Sequence, residues 1–373
     1  MSEHAAFLNA VMERPDDDLP RLVYADYLEE TGDAGRAEFI RVQIELARLD
    51  EDDDRFAILT RRESELLEQG VGGGIPGIRG IQIFRRGFVE SLDTTAERLI
   101  KATSPPLRLA PIRELRIRNA DNAIDELVNV PGLDRIESLD LRNNSFGTQD
   151  RLARFFTAAP LHSLTRLHLG NNQLWSDNVE RLVAGRWATQ LQMLDLSGNA
   201  IGNAGAAVLA DTERLGGLRM LILRSDGLDW RDRISTAGAE ALSRAKSFDS
   251  LRALDLGGQL IAEEGILRLA SASGIRHLER IDAPDNRHGL GTLPDFIEFT
   301  GVAPREAMRI WNLAGSRISL RAAEAFATWP QLETLDELIL DRCEWAPGAR
   351  ELLAESAWAY KIRTGDPVSG ELA

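Results

Sequence analysis

A single cysteine, Cys343, stands in the 373 residues, which excludes an intrachain disulfide. The five histidines are scattered and share no ligand spacing with it, so no metal site is expected. Aromatic residues make up 6% of the chain. No apolar run reaches the roughly 18 residues that a membrane-spanning helix needs. Residues 1–7 (MSEHAAF) lack the basic and apolar regions of a secretory signal. Together these absences lead to the expectation of a cytoplasmic protein without a membrane association. Basic charge is also short: 44 Lys and Arg face 59 Asp and Glu, a net charge of −15. Phosphate backbones are held by basic patches, so nucleic acid is not an expected partner. The balance is compatible with a basic protein partner and equally with an acidic surface that keeps the chain in solution.

What the chain has in abundance is one phrase, Leu-x-x-Leu-x-Leu-x-x-Asn-x-Leu, recurring about every 27 residues. Clean copies run from Leu164 through Leu167, Leu169 and Asn172 to Leu174, and from Leu191 through Leu194, Leu196 and Asn199 to Ile201. The first apolar position is filled in turn by Ile112, Ile136, Leu164, Leu191, Leu218, Leu251, Leu278, Met308 and Leu335. The Asn position reads Ala120, Asn144, Asn172, Asn199, Asp226, Gln259, Asn286, Ser316 and Cys343. A side-chain amide there can pair with backbone groups stranded where the chain turns out of a strand. Cys343 fits the same position as a small structural residue. Each copy reads as a short strand of alternating inward and outward residues. A helical stretch follows, such as 176–183, with apolar residues three and four apart.

Periods of this length mean stacked repeats. The phrase resembles the ribonuclease-inhibitor-like class of leucine-rich repeats over about residues 108–350. The resemblance implies an α/β fold: a horseshoe solenoid, parallel strands on its concave face and helices outside. Strands stack about 4.8 Å apart and helices roughly 10 Å, so the strand side is expected to be the inner side of a curve.

Residues 1–54 do not follow the repeat. They hold 16 acidic and 5 basic groups and read as helices over about 3–14, 19–30 and 34–49, with Asp17 or Asp18 as a cap and Gly32 as a stop. The wording around Arg21, Tyr24, Asp26, Leu28, Glu30, Arg36, Glu38, Ile40, Arg41 and Gln43 looks like the bacterial repeat-companion domain, over nearly all of residues 3–49. Tyr27 stands where that family often has Trp. The family carries no agreed activity, so the likeness implies no catalytic residues. Arg21, Asp26, Arg36 and Glu38 are expected to form ion pairs that fix helix packing, because a short helical hairpin offers little cleft for acid–base work. A fourth helix over about 53–69, a glycine loop at 70–77 and a hairpin turning near Arg86 and Gly87 complete a junction over 55–107. The glycine loop lacks the Gly-Lys-Ser/Thr ending of a phosphate loop, so no nucleotide cofactor is expected. The hairpin is expected to cap the first edge of the repeat sheet. The repeats then occupy 108–360 and a tail 361–373.

Strand alternation assigns the outward residues. The central line is Arg116, Asp140, His168, Asp195, Ile222, Asp255, Asp282, Asn312 and Ile339. Beside it run Glu114, Ser138, Arg166, Met193, Met220, Ala253, Arg280, Ile310 and Glu337 on one side, and Arg118, Arg142, Gly170, Ser197, Arg224, Gly257, Pro284, Ala314 and Asp341 on the other. Asp140, Asp195, Asp255 and Asp282 form a broken acidic stripe holding His168, and Met193, Met220 and Ile222 an apolar island beside it. Exposed Met and Ile on a polar wall suit contact anchors. An insertion carrying Trp230 and a Gly/Pro-interrupted loop at 286–294 add rim candidates. These features point to a non-catalytic scaffold that binds a protein on the concave face. Regulation of another enzyme, such as inhibition of a nuclease or activation of a small GTPase, is the alternative that the repeat class implies.

Overall fold

A computed structural model describes residues 3–147, 151–225, 232–262, 265–266, 268–269, 272–286, 307–328 and 330–365. The chain forms two compact units: residues 1–141 with 158–164, and residues 142–157 with 165–373.

The first unit opens with four helices, α1 (Glu3–Glu13), α2 (Asp18–Glu30), α3 (Ala34–Leu46) and α4 (Asp54–Glu68). Asp17, Asp33 and Asp53 each accept a backbone N–H of the following helix, as residues of this type do at helix starts. Gly32 takes the left-handed conformation that ends α2. Helix α3 stops at Leu46, three residues before the expected end. The Arg48 and Leu49 amides there donate to Glu45 and Leu46 carbonyls in a tightened last turn. A hairpin follows, β1 (Ile81–Arg85) antiparallel to β2 (Phe88–Thr95). Strands β3 (Glu114–Arg118) and β4 (Ser138–Asp140) then add in parallel. The hairpin is thus the edge of this unit's sheet, where the sequence placed a cap.

The helices grip that hairpin at its turn. Val11, Tyr24, Ala25, Leu28, Ala37, Ile40, Ile44 and Phe88 form one buried cluster. Gly87 sits so close to α3 that a Cβ would lie 2.5 Å from Ile40 Cγ1, and its φ of +87° also favours glycine. Its N–H donates to Gln43 Oε1 at 2.6 Å, and Arg36 donates to its carbonyl. Arg21 is fully buried: it donates to the Pro15, Arg85 and Arg86 carbonyls and pairs with Glu90 at 2.7 Å. Burial lowers the Arg21 pKa despite that pair. Arg62 pairs with Glu38, and Arg41 with Asp26 and Glu29. Of the residues expected to pair between helices, Asp26 and Glu38 do so, while Arg21 and Arg36 are spent on the hairpin instead, Arg21 on Glu90 and Arg36 on the Gly87 carbonyl.

The second unit contains β5 (Arg166–His168), β6 (Met193–Asp195), β7 (Met220–Ile222), β8 (Ala253–Asp255), β9 (Arg280–Asp282), β10 (Ile310–Asn312), β11 (Arg317–Ile318), β12 (Glu337–Ile339), β13 (Glu344–Trp345) and β14 (Ile362–Arg363). Strands β5 to β10, then β12 and β14, pair in parallel in chain order, each residue opposite its equivalent one repeat later. The two-residue β11 and β13 pair separately. Leu167, Leu194, Leu221, Leu254, Ile281, Trp311 and Leu338 point inward as one buried row, covered by helices such as Ser176–Val183, Gly202–Asp211 and Thr236–Ser243. The turns are held by the amide ladder. Asn172 Oδ1 accepts the Asn144 N–H at 2.8 Å, and Asn199 Oδ1 accepts those of Asn172 and Leu174 at 2.9 and 3.0 Å. Gln259 and Asn286 repeat the device for Ile234 and Ile261. This is the α/β leucine-rich repeat fold.

Candidate functional site

Within each unit, the residues that alternation turned outward share one sheet face. In the second unit, register sets His168, Asp195, Ile222, Asp255, Asp282, Asn312 and Ile339 in one line, and Arg166, Met193, Met220, Ala253, Arg280, Ile310 and Glu337 in the next. Met193 pairs with Met220, and Ile222 lies between Asp195 and Asp255. Met220 is 40% exposed, while Met193 and Ile222 are half-buried. Asp140 lies on β4 of the first unit, 3.6 Å from Arg116 Nε. Trp230 and loop residues 287–294 lie outside the described residues.

The acidic stripe differs from its reading as free surface charge. Asp195 is only 5% exposed. Its Oδ1 accepts the Ser197 N–H at 2.9 Å and its Oδ2 lies 3.6 Å from His168 Nδ1. Burial pushes the Asp195 pKa up, but the bonds from His168 and Ser197 prevail and hold it below the usual carboxylate value. Asp255 accepts the Gly257 N–H at 2.8 Å and lies 3.4 Å from Arg224 Nε, and burial raises its pKa. Asp282 pairs with Arg280 at 2.5 Å and accepts from Asn312 Nδ2 at 3.1 Å. Asp195 and Asp255 therefore fold the turn after their strands, in the manner of Asx-turns, while Asp282, followed two residues on by Pro284, is held by side chains instead. Sequence alternation finds the face but not this pairing, because Asp195 and Asp255 find partners a repeat away and in the backbone two residues on.

His168, Asp195 and Ser197 are the types used in nucleophilic catalysis, but their order is wrong for it. Asp195 stands between the other two, so the imidazole does not serve as base for the hydroxyl. Cys343 is largely buried, donates to the Leu313 carbonyl at 3.4 Å, and has its pKa pushed up by burial to about 11, which leaves it a thiol. Among the described residues, no group of three or more His, Cys, Asp or Glu could hold a metal ion, and no helix is long and apolar enough to cross a membrane. A recess of about 530 Å³ beside β14 is lined by Asp336, Glu337, Tyr360, Lys361, Ile362 and Arg363. Its cations are already engaged: Lys361 donates to the Leu332 and Glu333 carbonyls, and Arg363 pairs with Asp341 and Glu337.

The residue that sequence reasoning did not single out is Arg224. Its guanidinium lies over Gly257, where a Cβ would come within 2.9 Å of Cζ and Nη2. The same pairing recurs at Arg142 and Gly170, where a Cβ would lie 3.4 Å from Arg142 Cδ. The signal was present in the sequence: an Arg after one strand and a Gly at the equivalent position one repeat later.

Residues 189–210, from the turn before β6 to the helix after it, match the family described as Leucine Rich repeat. No curated protein matches the chain. Among solved structures, an internalin from Listeria monocytogenes is similar at 16% identity, with 74% of this chain and 71% of that one covered and a TM-score of 0.43. A structure titled as a TLR13–ssRNA13 complex is similar at 17% identity over 70% of this chain and 36% of that one, with a TM-score of 0.42. A Bacteroides fragilis protein is similar at 11% identity over 74% and 69%, with a TM-score of 0.37.

Proposed function

Because this chain carries leucine-rich repeats, we propose that it is a non-catalytic interaction scaffold that seats a protein partner on the open strand face of residues 166–339. One observation carries the reading. On a face whose polar side chains are largely paired with one another, Met193, Met220 and Ile222 lie side by side, and Met220 is among the exposed large apolar side chains of the described residues. Burying flexible apolar side chains supplies most of the energy at an interface centre, with the charged rim setting orientation. A protein surface suits such a patch better than nucleic acid, whose phosphates seek unpaired cations in number.

The test is capture from native cytosol by the intact chain, by the Met193→Lys/Met220→Lys variant, and by a control with Glu180→Lys on the helix side. A protein retained by wild type and control but lost by the double variant supports the reading. Identical retention by all three rejects the strand face as the docking site. Unchanged far-UV circular dichroism of the variants guards against unfolding as the cause.

A further inference from the structure

We propose that Arg224 is a preset carboxylate receptor, so that the partner seated on the open face presents an Asp or Glu side chain next to an apolar one. The inference rests on the reading of that face as a docking surface, and it reverses the charge that composition suggested for the partner.

The aspartates of the face are already engaged within the fold. Asp195 and Asp255 accept backbone amides and Asp282 is held by Arg280 and Asn312. The cations are not used up to the same extent. Among the described residues Arg224 makes one polar side-chain contact, from Nε to Asp255 at 3.4 Å, the long end of a hydrogen bond. Its terminal nitrogens have no partner among the described residues, and its side chain is 37% exposed. Arg219, directly before Met220, is exposed and likewise has no ionic partner among the described residues.

Arg224 is also held in place. Gly257 leaves the space that the guanidinium fills, and Pro284 Cγ, 3.1 Å from where a Gly257 Cβ would stand, borders that slot. A planar fork fixed in this way can take both oxygens of a carboxylate at little further entropic cost, which a lysine cannot do. Arg224 follows Ile222 by two residues, so it points to the same side of the sheet. An acidic side chain on Arg224 would thus place its apolar neighbour on Ile222 and Met220.

The test uses the full chain and three synthetic peptides, Gly/Ser-based, that differ only after a central Leu: Leu-Glu, Leu-Gln or Leu-Lys. Arg Nε and Met methyl signals are followed by NMR. The Leu-Glu peptide is expected to shift Arg224 Nε and the Met220 methyl together. It should bind about tenfold more tightly than Leu-Gln, the size expected of a charge-assisted bond. Leu-Lys should be weakest. In Arg224→Lys, Met220 should still respond while the preference for Glu over Gln falls severalfold. Equal binding of Glu and Gln peptides, or preference for Lys, with Met220 still shifting, overturns this inference and leaves the docking face standing. Silence at both residues with every peptide at millimolar concentration overturns the inference too, and the capture experiment then decides the wider reading independently.

Discussion

The amide ladder makes a quantitative prediction at Asn199. Replacing it with Ala removes one acceptor oxygen from two N–H groups, those of Asn172 and Leu174, in residues 0% and 1% exposed. It also removes the Nδ2 donor from the Leu169 and Leu196 carbonyls. Leu169 keeps a second donor, Asn172 Nδ2 at 2.9 Å, so the two amides set the least that is lost, with the Leu196 carbonyl adding to it. Each buried group left unpaired costs about 1–3 kcal/mol, giving about 2–6 kcal/mol for the pair. That is a large part of the roughly 5–15 kcal/mol by which a domain is stable. Guanidinium titration followed by circular dichroism should show a much lower midpoint, while Glu180→Ala on the exposed helix surface should stay within about 0.5 kcal/mol. Hydrogen exchange gives a local readout. Exchange at Asn172 and Leu174 should quicken about 30-fold or more for a 2 kcal/mol loss. The Ile261 amide, held by Asn286 at 3.0 Å, should be far less affected. Retained protection at 172 and 174, with a midpoint loss under about 1 kcal/mol, would refute the ladder as the source of turn stability.

Three further outcomes follow from the geometry of the strand face and the last repeat. Asp195 has its folded pKa depressed below 3.8, so its stabilising contribution is full above the unfolded value and disappears as pH falls through the folded one. Asp195→Asn should therefore lower stability near neutrality, with the deficit closing in acid. Asp255 has a raised folded pKa, so its ionised form opposes folding near neutrality and stability returns as pH falls through that value. Asp255→Asn should then match or exceed wild type near neutrality, and the difference should fade in acid. Urea midpoints between roughly pH 3 and 7 distinguish the two, and effects of one sign for both would contradict the burial and bonding described. Cys343, with its thiol pKa near 11, should react with an aromatic disulfide reagent far more slowly than free cysteine until the chain is unfolded; a native rate equal to the free thiol's would count against its burial.

Strand positions, helix caps and the capping hairpin were legible in the sequence because each rests on a local rule. Period fixes which residues are inward, aspartates mark helix starts, and Arg86-Gly87 marks a turn. The rows through Met193 and Met220 and through Asp195 and Ile222 follow from that period alone. What period does not carry is whether an outward residue is free. Asp195 looks like surface charge until its oxygen is seen to close the turn at Ser197. Arg224 looks like one more rim cation until the missing side chain at Gly257, one repeat away, shows why it lies flat. Likewise, nothing local to Arg21 says that its acceptors stand at Arg85, Arg86 and Glu90.

That last arrangement bears on the order in which the first unit is made. Arg21 must wait for groups 64 to 69 positions further along the chain before its charge is satisfied. Closing helices α2 and α3 over Arg21 without the hairpin would bury an unpaired charge, so the two events are energetically coupled. Once the hairpin is in place, β2 is presented with its far edge open and its register set, Ser91 opposite Glu114 and Asp93 opposite Arg116. A chain emerging from its N-terminus then adds β3 and β4 to a finished template instead of searching for a starting point among near-identical strands. In a stack where every strand resembles the next, a slip by one repeat would otherwise meet little resistance. The buried arginine acts as the fixed mark from which these first strands are counted.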